Sequence, residues 1–88
     1  MDGTRYGFAI PLTMPHVHIK IAERSETEKA RLAKKITKAI MNAVVCKEAD
    51  ISVSIENIDP NEWVEKVFKP DILAPWDKLY KKPGYGPL

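Results

Sequence analysis

Two short stretches of the chain alternate between apolar and polar residues. The first covers residues 16–21 (HVHIKI) and the second covers residues 51–56 (ISVSIE). A period of two places every apolar side chain of a strand on the same face. The pattern therefore predicts two strands, each with one apolar face and one polar face.

Between these strands, apolar residues recur at spacings of three and four from Leu32 to Val44. Ser25 stands three residues before Glu28, which is the spacing of a capping box at a helix start. The sequence predicts one amphipathic helix over about residues 26–45. Strand, helix and strand in this order predict a β-α-β unit whose two strands run parallel, with a right-handed crossover.

The segment after the second strand predicts short helices. In DPNEW, residues 59–63, Asp59 suits a helix N-cap, and Pro60 suits the first helical position. A short helix should run to about Phe68. Prolines at 70 and 75 then interrupt the chain, and a further helix is predicted over residues 71–82.

The fold class predicted from these elements is α/β (α+β), with a parallel two-stranded sheet and short C-terminal helices. The domain should span residues 14–88, because residues 1–13 (MDGTRYGFAIPLT) show no period and are expected to form an irregular leader or a non-native extension. A two-stranded sheet is not stable alone, and a chain of 88 residues buries only about 60–65% of its unfolded surface. Oligomerisation is expected to complete the sheet.

Composition excludes several classes of protein. Lysine and arginine total 14 against 12 aspartates and glutamates, so the net charge of +2 gives no reason to expect nucleic acid or membrane partners. Cys46 is the only cysteine and cannot form a disulfide within the chain, which is typical of the cytoplasm. His16 and His18 are the only histidines, and without further ligands at a suitable spacing no metal site is predicted.

Pro15 is the residue that could carry chemistry, provided that it is the first residue of the mature chain. An internal proline nitrogen is an amide with a delocalised lone pair, whereas a terminal proline nitrogen is a secondary amine. A chain-terminal amine has a reference pKa of about 7.7–8.0, and burial lowers it. Such an amine could act as a general base, although proline at the start of a strand is also common for steric reasons alone.

A resemblance to a known family follows from three stretches of the sequence. These are MPHVHIKIAERSETEKARLAKKITKAI from residue 14, ISVSIENIDPNEW from residue 51, and APWDKLYKKPGYG from residue 74. Together they resemble the tautomerase superfamily built on 4-oxalocrotonate tautomerase, and they are most similar to the bacterial subgroup called PptA, which carries the same KKPGY ending. The resemblance covers residues 14 to about 86.

The resemblance implies a role for four residues. Pro15 matches the catalytic N-terminal proline, and Arg24 matches the arginine that binds the substrate carboxylate. Ser52 falls where the founding enzyme has a second arginine, and Trp63 falls near its pocket aromatic residue. From the residues alone, Arg24 could equally be a surface charge and Trp63 a core residue.

The family implies a keto-enol tautomerase that needs no cofactor. With one arginine instead of two, the expected substrate is a monocarboxylic enol or 2-keto acid of the phenylpyruvate type. The PptA subgroup implies a homodimer. Two alternatives remain: a catalytically silent module of the same fold if the leader is native and retained, and a related reaction such as hydration of halogenated acrylates or decarboxylation of β-keto acids.

Overall fold

The computed structural model describes residues 13–86. It contains strand β1 (His16–Ala22), helix α1 (Glu26–Ala43) and strand β2 (Ser52–Ile58), and the two strands form a parallel two-stranded sheet. The predicted β-α-β unit and fold class are confirmed. Residues 1–12 of the predicted leader lie outside the described residues, as do residues 87 and 88.

Hydrogen bonds between the first residues of the two strands show the register of the sheet. The Ser52 N–H donates to the carbonyl of Pro15 at 3.1 Å. His16 lies beside Ser52 and His18 beside Ser54, and both pairs are 36 residues apart. A constant difference in residue number between paired positions is the property of parallel strands.

Helix α1 begins with the predicted capping box. The Glu28 N–H donates to Ser25 Oγ at 3.1 Å, and the Ser25 N–H donates to Glu28 Oε1 at 3.3 Å. The helix ends at Ala43, two residues before the predicted end, because Val44 is already extended at φ −132° and ψ 152°. The β-branched Val44 and Val45 favour this extended backbone.

The C-terminal helices differ from the prediction in type and extent. Asp59 caps a 3₁₀-helix, Pro60–Glu62, by accepting a hydrogen bond from the Asn61 N–H at 2.9 Å. A π-helix, Val64–Leu73, follows and passes through Pro70, and a 3₁₀-helix covers only Trp76–Lys78 of the predicted helix over residues 71–82. An α-helix would place the proline ring against the carbonyl four residues earlier, whereas π-type hydrogen bonds span five residues, as in Ala74 N–H to Lys69 O at 3.1 Å.

The chain divides into two compact units. Within the described residues, the first consists of 13–19 with Ser25–Ile55, and the second of Lys20–Arg24 with 56–86. In the first unit, the apolar residues of α1 and the strands are at most half-buried. In the second unit, Ile58 (3% exposed) and Val67 (5% exposed) are buried, and Lys20 forms an ion pair with Asp71 at 2.6 Å.

None of the helices within residues 13–86 combines the length and apolar composition needed to cross a membrane.

Candidate active site

Pro15 is anchored at the start of the sheet. It directly precedes β1, is half-buried, and accepts a hydrogen bond on its carbonyl oxygen from the Ser52 N–H. This bond fixes the peptide on the C-terminal side of Pro15. Met14, on the other side, is 56% exposed. The nitrogen of Pro15 therefore lies at the point where a regular strand begins.

Ser52 is the direct neighbour of Pro15 across the sheet. Besides its N–H contact, its Oγ shares a 2.6 Å hydrogen bond with His16 Nδ1. Ser54 Oγ lies 2.6 Å from His18 Nδ1 in the same way. The contact between His16 and Ser52 was not predicted from the sequence. The signal was present, because histidine and serine occupy the same face of two parallel strands.

Arg24 is held through its main chain by Asn57. The Arg24 N–H donates to Asn57 Oδ1 at 3.2 Å, and Asn57 Nδ2 donates to the Arg24 carbonyl at 3.3 Å. The side chain of Arg24 is exposed, and its guanidinium forms no ion pair with another residue among 13–86. The role of Asn57 was not predicted from the sequence, although an amide at the position that continues the apolar series Ile51, Val53 and Ile55 was a usable signal.

Trp63 is half-buried and follows the 3₁₀-helix Pro60–Glu62. Its indole N–H donates to the hydroxyl of Tyr85 at 3.3 Å. The Tyr85 ring in turn lies tilted against Phe68, with 6.0 Å between the ring centroids. Tyr85 comes from the KKPGYG segment, which the sequence analysis did not connect with Trp63. The aromatic residue implied by the resemblance is therefore oriented by a hydrogen bond as well as by packing.

The four predicted site residues fall into two groups. Pro15 and Ser52 belong to the first unit and are in direct contact. Arg24 and Trp63 belong to the second unit, and each is held by a partner in that unit. Within residues 13–86, histidine, cysteine, aspartate and glutamate form no group of three that could hold a metal ion. The chemistry available to the first group depends on whether the nitrogen of Pro15 is an amide or an amine.

Comparisons with known proteins give the family. A model of the tautomerase enzyme family matches residues 15–67. A probable tautomerase from Xylella fastidiosa (strain 9a5c) is 37% identical over 76 residues, which cover 85% of this chain and 93% of that protein. Tautomerase PptA from Escherichia coli O127:H6 is 38% identical over 74 residues, and Tautomerase PptA from Cronobacter sakazakii is 32% identical over 74 residues. Each of these two alignments covers 82% of this chain and 97% of the relative. With a family match over more than half of its length and relatives aligned almost end to end, this chain belongs to the tautomerase family.

Proposed function

We propose that this protein is a keto-enol tautomerase that acts on a small monocarboxylic enol or 2-keto acid of the phenylpyruvate type. Pro15 is the general base, after removal of the residues that precede it. The main support for the proposal is that the family match and the first strand begin at neighbouring residues. The match to the tautomerase family begins at Pro15, and the regular structure begins at the next residue, His16.

The proposed reaction moves one proton and, once Pro15 is the first residue, uses the amine of Pro15 as its only acid and base. The neutral amine of Pro15 accepts the proton of the enol hydroxyl, and the oxygen lone pair re-forms the carbonyl. The electron pair of the carbon-carbon double bond then takes a proton from the prolinium at the adjacent carbon. The amine returns to its neutral form, so the atoms and charges balance. Because its carbonyl is tied to Ser52, Pro15 is held still for both transfers.

Arg24 and Ser52 determine the charge of the proposed substrate. The guanidinium of Arg24, which has no ion-pair partner among the described residues, binds one carboxylate. Ser52 offers a neutral hydroxyl, already hydrogen-bonded to His16, where the founding enzyme of the superfamily has an arginine. A second carboxylate would therefore lack a cation, which favours monocarboxylates over dicarboxylates.

Trp63 supports a substrate with an apolar or aromatic body. Its ring is half-buried and fixed by the hydrogen bond to Tyr85. An indole held in one orientation offers a flat apolar surface at a low entropic cost. In the proposed mechanism this ring packs on the apolar body of the substrate.

We also propose that the protein is a homodimer in the cytoplasm. Ile58 and Val67 are the only described residues that are buried in the single chain, while Val45, Val64 and Met14 are more than half exposed. A two-stranded sheet with so small a core requires further burial. The single, half-buried Cys46 fits a reducing compartment. Sedimentation equilibrium of the chain that begins at Pro15 should give twice the monomer mass, and a monomer mass would contradict the proposal.

A catalytically silent module is the second candidate function. In the 88-residue chain, the nitrogen of Pro15 is bonded to Met14 and is an amide. An amide nitrogen cannot accept the enol proton. If residues 1–14 are retained, the protein keeps the fold of a tautomerase but lacks the base, and intact mass of the protein from its natural host distinguishes the two forms.

The proposed activity is tested with a chain started at Met14. Removal of the initiator methionine before proline exposes the Pro15 amine, and intact mass verifies it. Ketonisation of enolic phenylpyruvate, followed by ultraviolet absorbance, should be catalysed by this chain. The Pro15→Ala variant keeps a terminal amine, but this amine is primary and is not fixed by a ring. Because a well-positioned base contributes about 10²–10⁴-fold, the loss of positioning should lower kcat/KM by at least about tenfold. The circular dichroism of the variant should be unchanged, and full activity in this variant would overturn the assignment.

A further inference from the structure

A cleft in the first unit lies outside the proposed active site. Its volume is about 640 Å³, and it is lined by α1 and the start of β2. Four cationic side chains of α1 line it, namely Arg31, Lys34, Lys35 and Lys38. One acidic residue, Glu48, also contributes to the lining. The cleft therefore carries an excess of three positive charges, counted as four cations minus one anion.

The cations of this cleft are not neutralised within the described part of the chain. Four other described lysines, at positions 20, 29, 66 and 69, do form ion pairs, as in Lys66 with Glu62 at 3.1 Å and Lys69 with Glu65 at 2.7 Å. None of the four cleft cations forms an ion pair with another described residue. The sequence explains this, because residues 29–47 contain no aspartate or glutamate. A ligand with several negative charges is thus complementary to the cleft.

The floor of the cleft includes an open strand edge. Ile51 and Val53 line it, and among the described residues β2 pairs only with β1. The Ser52 N–H points toward β1, where it meets Pro15. Main-chain groups of successive residues in a strand point to opposite edges, so the N–H and C=O of Val53 face the outer edge. Among residues 13–86 no strand pairs with that edge, so this N–H and this C=O are available to a ligand beside the cationic side chains.

We propose that this cleft binds an acidic segment of another protein, which adds to the outer edge of β2 as an extended strand. A peptide backbone can accept a hydrogen bond from the Val53 N–H and donate one to the Val53 C=O. A fully ionised phosphate group has only acceptors, so it can bind the N–H but gives the C=O no donor. Acidic side chains of the same peptide reach the cations of α1, which supplies the charge selection. This binding surface is independent of the Pro15 chemistry.

The test uses the 88-residue protein and three fluorescein-labelled peptides of seven residues. The first alternates glutamate and threonine, the second has glutamine for every glutamate, and the third keeps the glutamates but has proline for a central threonine and an N-methyl group on the next glutamate, so that one N–H is lost from each edge of the strand. Fluorescence anisotropy should detect binding of the first peptide, weakened by salt. The second and third peptides should bind at least about tenfold more weakly, because one lacks the charge and the other cannot pair as a strand.

A pair of double variants locates the site. Lys34→Gln with Lys38→Gln should weaken binding of the first peptide by about fivefold to tenfold, since exposed charge pairs contribute modestly and glutamine preserves the helix. Lys66→Gln with Lys69→Gln removes the same charge from a different surface and should leave the affinity unchanged. Both variants should retain tautomerase activity when started at Pro15.

Four results would overturn the proposal. One is the absence of binding by the acidic peptide, and a second is an equal loss in the two double variants. A third is equal binding of the proline-containing peptide or of inorganic polyphosphate, which would reveal an electrostatic patch without strand addition. The last is a change of oligomeric mass in the Lys34 and Lys38 variant, which would assign the surface to a contact between copies of this chain.

Discussion

Replacing Asn57 with alanine removes both hydrogen bonds that hold the main chain of Arg24. The side-chain amide of Asn57 accepts from the Arg24 N–H at 3.2 Å and donates to the Arg24 carbonyl at 3.3 Å. These contacts lie beyond the end of β1 at Ala22. They join the two chain segments at a position where the strands no longer form main-chain hydrogen bonds with each other. Loss of the amide should therefore loosen the segment that carries the proposed carboxylate-binding arginine.

The expected cost follows from the two bonds. Both are exposed and lie at the long end of the usual distance range, so each should contribute about 0.5–1 kcal/mol, and the variant should lose about 1–2 kcal/mol of unfolding free energy. For a domain of this size, that loss lowers the melting temperature by roughly 4–16 °C. Asn57→Asp keeps the acceptor but loses the donor, so it should cost about half as much.

Thermal unfolding followed by circular dichroism measures this effect, at one fixed protein concentration because oligomers melt in a concentration-dependent way. Asn61→Ala is the matched control, since within residues 13–86 the Asn61 side chain forms no hydrogen bond and its main-chain N–H donates to Asp59. In the chain that begins at Pro15, Asn57→Ala should also raise KM for phenylpyruvate. Equal melting temperatures for the Asn57 and Asn61 variants would refute the reasoning.

Three further predictions concern separate parts of the chain. Ser25→Ala removes the capping box and should cost about 1 kcal/mol in urea unfolding, whereas an unchanged midpoint would exclude a stabilising cap. Gly86 has φ +138°, and a β-carbon there would lie 2.9 Å from the Trp76 ring. Gly86→Ala should therefore lower the free energy of unfolding by about 1–3 kcal/mol and alter tryptophan fluorescence. Arg24→Gln, in the chain that begins at Pro15, should raise KM for phenylpyruvate about tenfold with a smaller change in kcat, and an unaltered KM would remove Arg24 from substrate binding.

The parts of the fold that the sequence predicted well are those determined by neighbours along the chain. The Ser25 and Glu28 cap connects residues three apart, and the alternation in β1 and β2 follows from a period of two. The type of the C-terminal helix could not be predicted in the same way. A π-helix and an α-helix share most of their apolar pattern, and only the five-residue hydrogen-bond span separates them.

The site residues stay predictions, and the structure adds contacts of these residues that the sequence did not indicate. Pro15 was singled out by the chemistry of a terminal proline amine, and the family resemblance then implied the roles of Pro15 and Arg24. Their contacts are long-range: Asn57 lies 33 residues after Arg24, and Tyr85 lies 22 residues after Trp63. No local period encodes such pairs, because they depend on the register of the sheet and on the course of the C-terminal segment.

The measurement that tests the account most directly compares two chains that differ only in what precedes Pro15. One begins at Pro15, and the other retains residues 1–14, with both termini verified by intact mass. Ketonisation of enolic phenylpyruvate is measured for each between pH 6 and 9. The chain that begins at Pro15 should be active, with kcat/KM rising as its amine loses a proton near or below the reference pKa of about 7.7–8.0, and the longer chain should be inactive. Equal activity of the two chains would contradict the role of Pro15 as the general base.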